Sequence, residues 1–343
     1  MSRLWSLAAV AVAAAVAVSG AAAAQHQRTR WSRAGLYAAI GAFTDTEVHL
    51  GTRVLAHRAD SGGVYRTADG YSVRVYVSPS YPADPATDQA AVNFLDSLVH
   101  GPELGNLTVY VKTPSEIGTV CGADALACYD PTQQALIVPG EDVPGYAVEP
   151  IVAHEYGHHV ARNRNNAPWL AYTYGTKRWA SYEGICTLAQ HGVVFPGDEG
   201  VHYALNPGEA FAETYRVLNT NALGFPMLPW NIVDNGFYPD TTDLDLVRED
   251  VLQPWTSPTS YVWRGTFRRR RQLLLKSLPS YYDGTVAVSV KGPRGTTVGL
   301  VDKQNHVVAA TRTRLAATLC SGGARAAVLA GRRGRFTVTV TLP

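Results

Sequence analysis

Residues 151–160 constrain this chain more than any other segment does. They read Ile-Val-Ala-His-Glu-Tyr-Gly-His-His-Val, with apolar residues on both sides of the polar ones and no proline, and we predict a helix here. Because an α-helix turns once in 3.6 residues, His154 and His158 would lie one turn apart on one face and could offer two imidazole nitrogens to one metal ion. Glu155 would reach a water molecule on such an ion rather than the ion itself. The alternative interpretation is a pair of core histidines beside a surface glutamate.

Two other residues in or beside this motif, Gly157 and His159, lead to further expectations. Gly157 stands in the middle of the predicted helix, where glycine costs about 1 kcal/mol relative to alanine. We therefore expect another backbone to pack closely against it. His159 follows His158 directly and points to a different side of the helix, so we do not expect it to bind the same ion.

A catalytic zinc site needs a third protein ligand and an open fourth position. One known continuation of the motif would need Gly at position 161 and His at position 164, but this chain has Ala161 and Arg164 there. A later segment supplies carboxylates instead. Glu209 and Glu213 lie four residues apart on one face of a second predicted helix. One of them can bind the metal while the other accepts the N–H of a ligating histidine.

Together the two segments resemble the gluzincin metallopeptidases, a thermolysin-like group with H-E-x-x-H and a glutamate on a later helix. The resemblance covers roughly residues 105–220. It implies an α+β fold in which a zincin-like catalytic domain combines a mixed sheet, an active-site helix and a helical lower part. It also implies one Zn²⁺ held by His154, His158 and Glu209, with Glu155 as general base and Glu213 behind a ligating histidine.

The first 24 residues resemble an export signal. Arg3 precedes an apolar run, and Ala22-Ala23-Ala24 forms a small-residue cleavage site before Gln25. A retained membrane anchor is the alternative, since the segment from Leu4 to Ala24 approaches the length of a span. We expect cleavage, and therefore a secreted protein with no integral membrane segment after processing.

The four cysteines fit an oxidising compartment. Four cysteines allow three pairings, and the sequence alone does not choose between them. Closing a short loop costs little entropy, which favours a bond between Cys121 and Cys128. The remaining pair, Cys186 and Cys320, would then join across 134 residues.

The chain length of 343 residues predicts about two domains after the signal. We place a catalytic domain at 25–280 and a C-terminal domain at 281–343, where short alternating strands between turns predict a small β-sandwich. This tail loosely resembles the bacterial pre-peptidase C-terminal domain. Residues 267–278 just before it, with leucines at 273, 274 and 278, predict a helix.

The charge balance limits the partners. A net charge of +2 argues against a strongly basic nucleic-acid binder, and 17% charged residues exclude a coiled coil. Two short arginine clusters, residues 268–271 and Arg332, Arg333 and Arg335, are typical of a solvated face. A weak association with an anionic cell surface is the alternative. The expected partner is a protein or peptide substrate, and we expect a monomer.

The predicted function is hydrolysis of peptide bonds by a secreted zinc peptidase. In that mechanism Glu155 accepts a proton from a zinc-activated water. Two alternatives remain: a zincin fold used for extracellular binding or adhesion without turnover, and a zinc hydrolase of another amide or ester. The residue that stabilises the oxyanion is open, since Tyr182, His202, Tyr203 and Tyr215 are candidates by residue type alone.

Overall fold

The computed structural model describes residues 60–143, 148–223, 232–320 and 322–343. The predicted signal at 1–24, with its cleavage site, lies outside the described residues. The described chain is a mixed α+β protein with several sheets. Within these ranges no helix has both the length and the apolar character that are needed to cross a bilayer.

The first part of the chain builds a five-stranded sheet in the order β1-β2-β3-β5-β4. Its central strands β2, β3 and β5 run parallel, and each edge strand runs antiparallel to its neighbour. The strands are β1 (Ser61–Arg66), β2 (Ser72–Val77), β3 (Thr108–Lys112), β4 (Cys128–Asp130) and β5 (Ala135–Pro139). Strand β5 is buried along its whole length, as expected for a strand covered on both faces.

Eight helices accompany the strands in the described ranges, and side-chain hydrogen bonds cap the N-termini of several of them. The Asp84 side chain accepts from the backbone N–H of Ala86 at the start of the first helix, and Thr113 and Glu116 form a capping box at the second. The helices are α1 (Pro85–Ser97), α2 (Pro114–Val120), α3 (Val148–Arg162), α4 (Ala171–Tyr174), α5 (Lys177–Tyr182), α6 (Ile185–Gln190), α7 (Pro207–Leu223) and α8 (Thr241–Leu252). A two-stranded ribbon, β6 (Asn165–Asn166) and β7 (Trp169–Leu170), follows α3.

Helices α3 and α7 pack directly against each other at the predicted close approach. All residues of α3 from Pro150 to Ala161 are buried. A Cβ atom added at Gly157 would lie 2.9 Å from the Cα atom of Ala212 and 3.2 Å from the Cβ atom of Tyr215. The expectation that a second backbone contacts Gly157 is therefore confirmed, and the glycine allows the two helices to approach.

The last part of the chain consists of two four-stranded antiparallel sheets that share one apolar core. The first sheet has the order β13-β10-β15-β8 and the second β12-β11-β14-β9. The strands are β8 (Thr259–Phe267), β9 (Leu273–Ser277), β10 (Gly284–Lys291), β11 (Thr297–Val301), β12 (Val307–Thr311), β13 (Arg314–Leu319), β14 (Arg325–Leu329) and β15 (Gly334–Leu342).

The predicted helix at 267–278 is wrong, and the strands begin earlier than the boundary placed at 281. Strand β8 pairs with β15 along nine residues, and β9 pairs with β14. The leucine spacing suits a helix, but a strand at this position can bury Leu274 against the partner strand β14. Long-range pairing therefore decides the secondary structure of this segment.

Covalent and polar contacts join the two parts. The disulfides Cys121–Cys128 and Cys186–Cys320 are both present, as predicted, and the second connects α6 to the end of β13. The Lys177 ammonium donates to the backbone carbonyls of Ala167 (2.7 Å) and Asp283 (2.6 Å). Two disulfides indicate an extracellular or periplasmic environment.

Candidate metal centre

Three donor atoms from helices α3 and α7 converge at one buried point. The Nε2 atom of His154 lies 3.3 Å from Oε2 of Glu209, and the Nε2 atom of His158 lies 3.5 Å from the same oxygen. Each of the three residues offers a ligand atom, and these atoms lie within 4.8 Å of one another. The cluster could hold a metal ion.

The donor separations fit one small ion. Around a tetrahedral ion with ligand bonds of about 2.0–2.2 Å, neighbouring ligand atoms lie about 3.3–3.6 Å apart. Both measured separations from Glu209 fall in this range, at 3.3 and 3.5 Å. The three residues are at most 4% exposed, and a carboxylate buried with two imidazoles is a donor set that suits a divalent cation.

The start of α7 fixes Glu209 in place. The Asn206 side chain accepts hydrogen bonds from the backbone N–H groups of Gly208 and Gly197, both at 3.0 Å. Glu209 follows in the first turn of the helix. The Tyr203 hydroxyl donates to Oε2 of Glu209 at 2.7 Å. This oxygen thus has a phenol on one side and two imidazoles on the other.

The charge state of Glu209 follows from these neighbours. Burial alone would raise the pKa of its carboxyl, because a low-dielectric environment disfavours the anion. The His158 and His154 imidazoles outweigh burial and lower the pKa below its ordinary value. The carboxyl is therefore ionised, which is the form that binds a metal.

Glu213 lies behind the cluster, on the far side of His154. Its Oε2 atom is 3.6 Å from Nδ1 of His154. A carboxylate at Nδ1 favours the tautomer that carries its proton there and leaves Nε2 available to an ion. Arg216 binds both Glu213 oxygens, at 2.7 and 2.6 Å, and both side chains are fully buried. Glu209 is thus the carboxylate near the Nε2 atoms of both histidines, and Glu213 is the one near Nδ1 of His154.

The two remaining polar residues of the motif differ in their surroundings. Glu155 is 1% exposed and follows His154 in α3. His159 lies on another side of the helix, where Nδ1 is 2.9 Å from the Tyr129 hydroxyl and Nε2 is 2.9 Å from the carbonyl of Glu103. Burial lowers the pKa of His159 to about 4, so its ring is neutral and donates from Nε2 to that carbonyl.

Of the four residues considered for oxyanion stabilisation, Tyr203 contacts the cluster. The Tyr215 hydroxyl donates to the carbonyl of Val99 and the Tyr182 hydroxyl to Asp240. His202 pairs with Asp198 through Nδ1 at 2.8 Å. Nothing in the sequence singles out Tyr203 among 18 tyrosines, since its role depends on the turn that brings it back to Glu209.

A second group of possible ligands lies at the edge of the sheet. Asp69, Asp96 and His100 also offer atoms within 4.8 Å of one another. The Asp69 side chain is 67% exposed, and the His100 ring nitrogens face the carbonyls of Gly101 and Asp96. Exposed acidic groups lie together in many proteins without an ion, and this group shares no element with the first cluster.

Comparisons with known proteins do not show a family. No protein-family model matches the chain, and no curated protein matches it. Several solved structures are similar to part of it. One is PliG of Aeromonas hydrophila, a periplasmic inhibitor of g-type lysozyme, with 10% identity over 25% of this chain and 88% of that one and a TM-score of 0.22.

Another comes from Bacillus endospore appendages, described as disulfide-linked pili, with 10% identity, the same coverage of 25% and 88%, and a TM-score of 0.18. Both TM-scores are too low to support an argument about fold or activity.

Proposed function

We propose that this protein is a secreted zinc-dependent peptidase with a zincin-like catalytic domain that resembles the gluzincins. The observation that carries the proposal is the meeting of His154, His158 and Glu209 at separations suited to a tetrahedral ion. The order of a mixed sheet, a buried motif helix and a second ligand helix adds support. Two disulfides support an exported protein.

In this proposal each residue of the site has its own role. His154, His158 and Glu209 hold the ion, and Glu213 orients His154 through Nδ1. A bound zinc ion would supply Lewis-acid polarisation of a substrate carbonyl and would acidify a water molecule. Glu155 accepts a proton on its carboxylate from the attacking water and returns it to the leaving nitrogen. The Tyr203 hydroxyl holds Oε2 of Glu209 in position.

The decisive experiment compares the wild-type protein with Glu155→Gln. Zinc content and cleavage of a peptide library would be measured on both proteins, with Glu149→Gln, a half-buried glutamate in the first turn of the same helix, as the matched control. We expect Glu155→Gln to keep one zinc ion and lose about 10²-fold or more in activity. The control should behave as wild type.

The same measurements separate the alternatives. Zinc binding by the wild type without any turnover would indicate a binding or adhesion protein. Turnover of esters or non-peptide amides but not of peptides would indicate another zinc hydrolase. Native-rate peptide cleavage by Glu155→Gln would contradict the role given to Glu155.

A further inference from the structure

The charge of this protein is divided unevenly between its two parts. Residues 259–343 contain fifteen Lys and Arg but two acidic residues, a net charge of +13. The preceding 258 residues contain fifteen basic and 26 acidic residues, a net charge of −11. The overall value of +2 hides this division. The two-sheet part is a strongly basic unit attached to an acidic one.

Most of the positive charge lies at one end of the two sheets. Residues 268–271 form a loop of four arginines, residues 291–296 contain two cations, 312–314 contain two and 330–335 contain three. All eleven side chains belong to exposed residues, and no acidic residue occurs in these four segments. We call this end the basic pole.

Strand pairing brings the four segments together. Phe267, the last residue of β8, is paired with Gly334, and Leu273 at the start of β9 is paired with Leu329. The N–H of Arg271 donates to the carbonyl of Ala330 at 3.0 Å. Lys291 is paired with Thr337, and the N–H of Val290 donates to the carbonyl of Thr313 at 2.8 Å.

The basic pole faces away from the metal centre. The contacts between the two parts of the chain lie at the other end of the strands, where Cys320 is bonded to Cys186 and Asp283 contacts Lys177 and Ser181. The two acidic residues of this unit, Asp283 and Asp302, also lie at that end, in the loops opposite the pole. A surface that binds the basic pole would therefore not contact the part of the chain that holds the metal cluster.

Exposed leucines adjoin the pole on the outer face of the second sheet. Leu273 is 56% exposed, and its cross-strand partner Leu329 is 40% exposed. Leu275, two residues further along the same face, is 43% exposed. Arginines beside exposed aliphatic side chains suit the boundary of a bilayer, where cations meet lipid phosphates and aliphatic groups enter the headgroup region. A site for single-stranded nucleic acid would call for stacking aromatic rings instead.

We propose that the basic pole docks this protein on an anionic phospholipid bilayer. Arginine donates to phosphate in pairs of parallel hydrogen bonds, which suits lipid headgroups. This proposal does not depend on the peptidase activity.

The test measures co-sedimentation of the full chain with vesicles of phosphatidylcholine, with or without about one-third phosphatidylglycerol. The pole variant replaces Arg269, Arg270, Arg332 and Arg333 by glutamine. The control variant makes the same charge change at four exposed cations elsewhere, namely Arg66, Arg74, Arg248 and Lys303. All proteins share the apolar N-terminal run, so any binding through that run contributes equally to each.

We expect the wild type to bind the anionic vesicles and to leave them when salt rises from about 0.1 to 0.5 M. The pole variant should lose about 100-fold in partitioning, and the control variant less than about threefold. Leu273→Asn combined with Leu329→Asn should lose about tenfold on vesicles. Because both leucines are exposed, the thermal midpoint should stay at the wild-type value, which checks folding.

Three results would overturn the proposal. Equal losses in the pole and control variants would show that only net charge matters. Equal binding of neutral and anionic vesicles would exclude recognition of lipid phosphate. Displacement of the vesicles by double-stranded DNA, with the leucine variant binding like wild type, would identify a soluble polyanion as the partner in place of a bilayer.

Discussion

Helices α3 and α7 bury charged groups, whereas the eight strands after residue 259 keep theirs at the surface. Glu209, Glu213 and Arg216 are 2%, 0% and 0% exposed. Among the described residues from 259 onward, the buried polar side chains are Asp283 and Thr296 alone. The first part thus places ionised groups where water does not reach them, and the second is held together by an apolar core.

This difference has an energetic meaning. A buried charge costs several kcal/mol unless a partner and hydrogen bonds compensate it. A cluster of such charges, each with a partner, is typical of a site that performs chemistry. Exposed arginines carry almost no such cost and contribute little to stability. The charges of the two-sheet part therefore remain available for long-range attraction to a partner, and those of α3 and α7 are held in one geometry.

The largest expected effect comes from breaking the buried pair of Arg216 and Glu213. Arg216→Met leaves the Glu213 carboxylate buried without its guanidinium, so the free energy of unfolding should fall by about 3–5 kcal/mol. Arg335→Met, which removes an exposed arginine of the two-sheet part, should change it by less than about 0.5 kcal/mol. Urea unfolding measures both.

A double variant sharpens this comparison. Arg216→Met with Glu213→Leu removes both charges together, and it should recover part of the lost stability, since an apolar pair avoids the desolvation cost. A loss below about 1 kcal/mol for Arg216→Met alone would contradict the view that this part depends on charge compensation.

The second effect concerns the roles of the two glutamates. Glu209→Gln removes a charged ligand, so zinc affinity should fall by more than about 100-fold. Glu213→Gln keeps all three ligands and weakens only the support of His154, so the loss should lie at about 10–100-fold. Chelator competition measures both affinities. A greater loss in Glu213→Gln would reverse the two roles.

Local sequence patterns predict some strands of the two-sheet part and fail at others. Regular alternation of apolar residues identifies β10 and β15, because each strand has one face in the core. It fails at Leu273–Ser277, where consecutive leucines fit a helix as well as a strand. Arg314–Leu319 shows no such alternation either, since its alanines give little contrast between the two faces. Both segments become strands through pairing with distant partners, which no local pattern contains.

In the site, local spacing predicts what lies within one helix. The four-residue separations of His154 and His158, and of Glu209 and Glu213, are enough to place each pair on one helix face. The pairing of Arg216 with Glu213 and the bond from Tyr203 to Glu209 depend on which side chains become buried. Arginine and tyrosine are usually partly exposed, so the sequence alone gives no reason to assign them.

The smallest expected effect lies at the junction of the two parts, where Lys177 is buried against Asp283 and beside the ring of Trp255. Burial is the largest cause that lowers the pKa of Lys177, to about 8 from 10.5. Between about pH 8 and 10.5 Lys177 therefore binds more protons in the unfolded chain than in the folded one, and its own contribution to stability rises with pH in this window. Below pH 8 the lysine is protonated in both states and contributes no pH dependence.

Lys177→Met should remove this rise, while Lys303→Met, which replaces an exposed lysine, should retain it. Urea midpoints measured from pH 7.5 to 9.5 test the difference between the proteins, because the tyrosines whose pKa is raised, such as Tyr81 and Tyr174, contribute the same pH dependence to the wild type and to both variants. Parallel curves for the wild type and Lys177→Met would contradict the burial of a cation at the junction. Buried charges would then belong to the first part of the chain and surface charges to the second, and the junction between them would hold no buried cation.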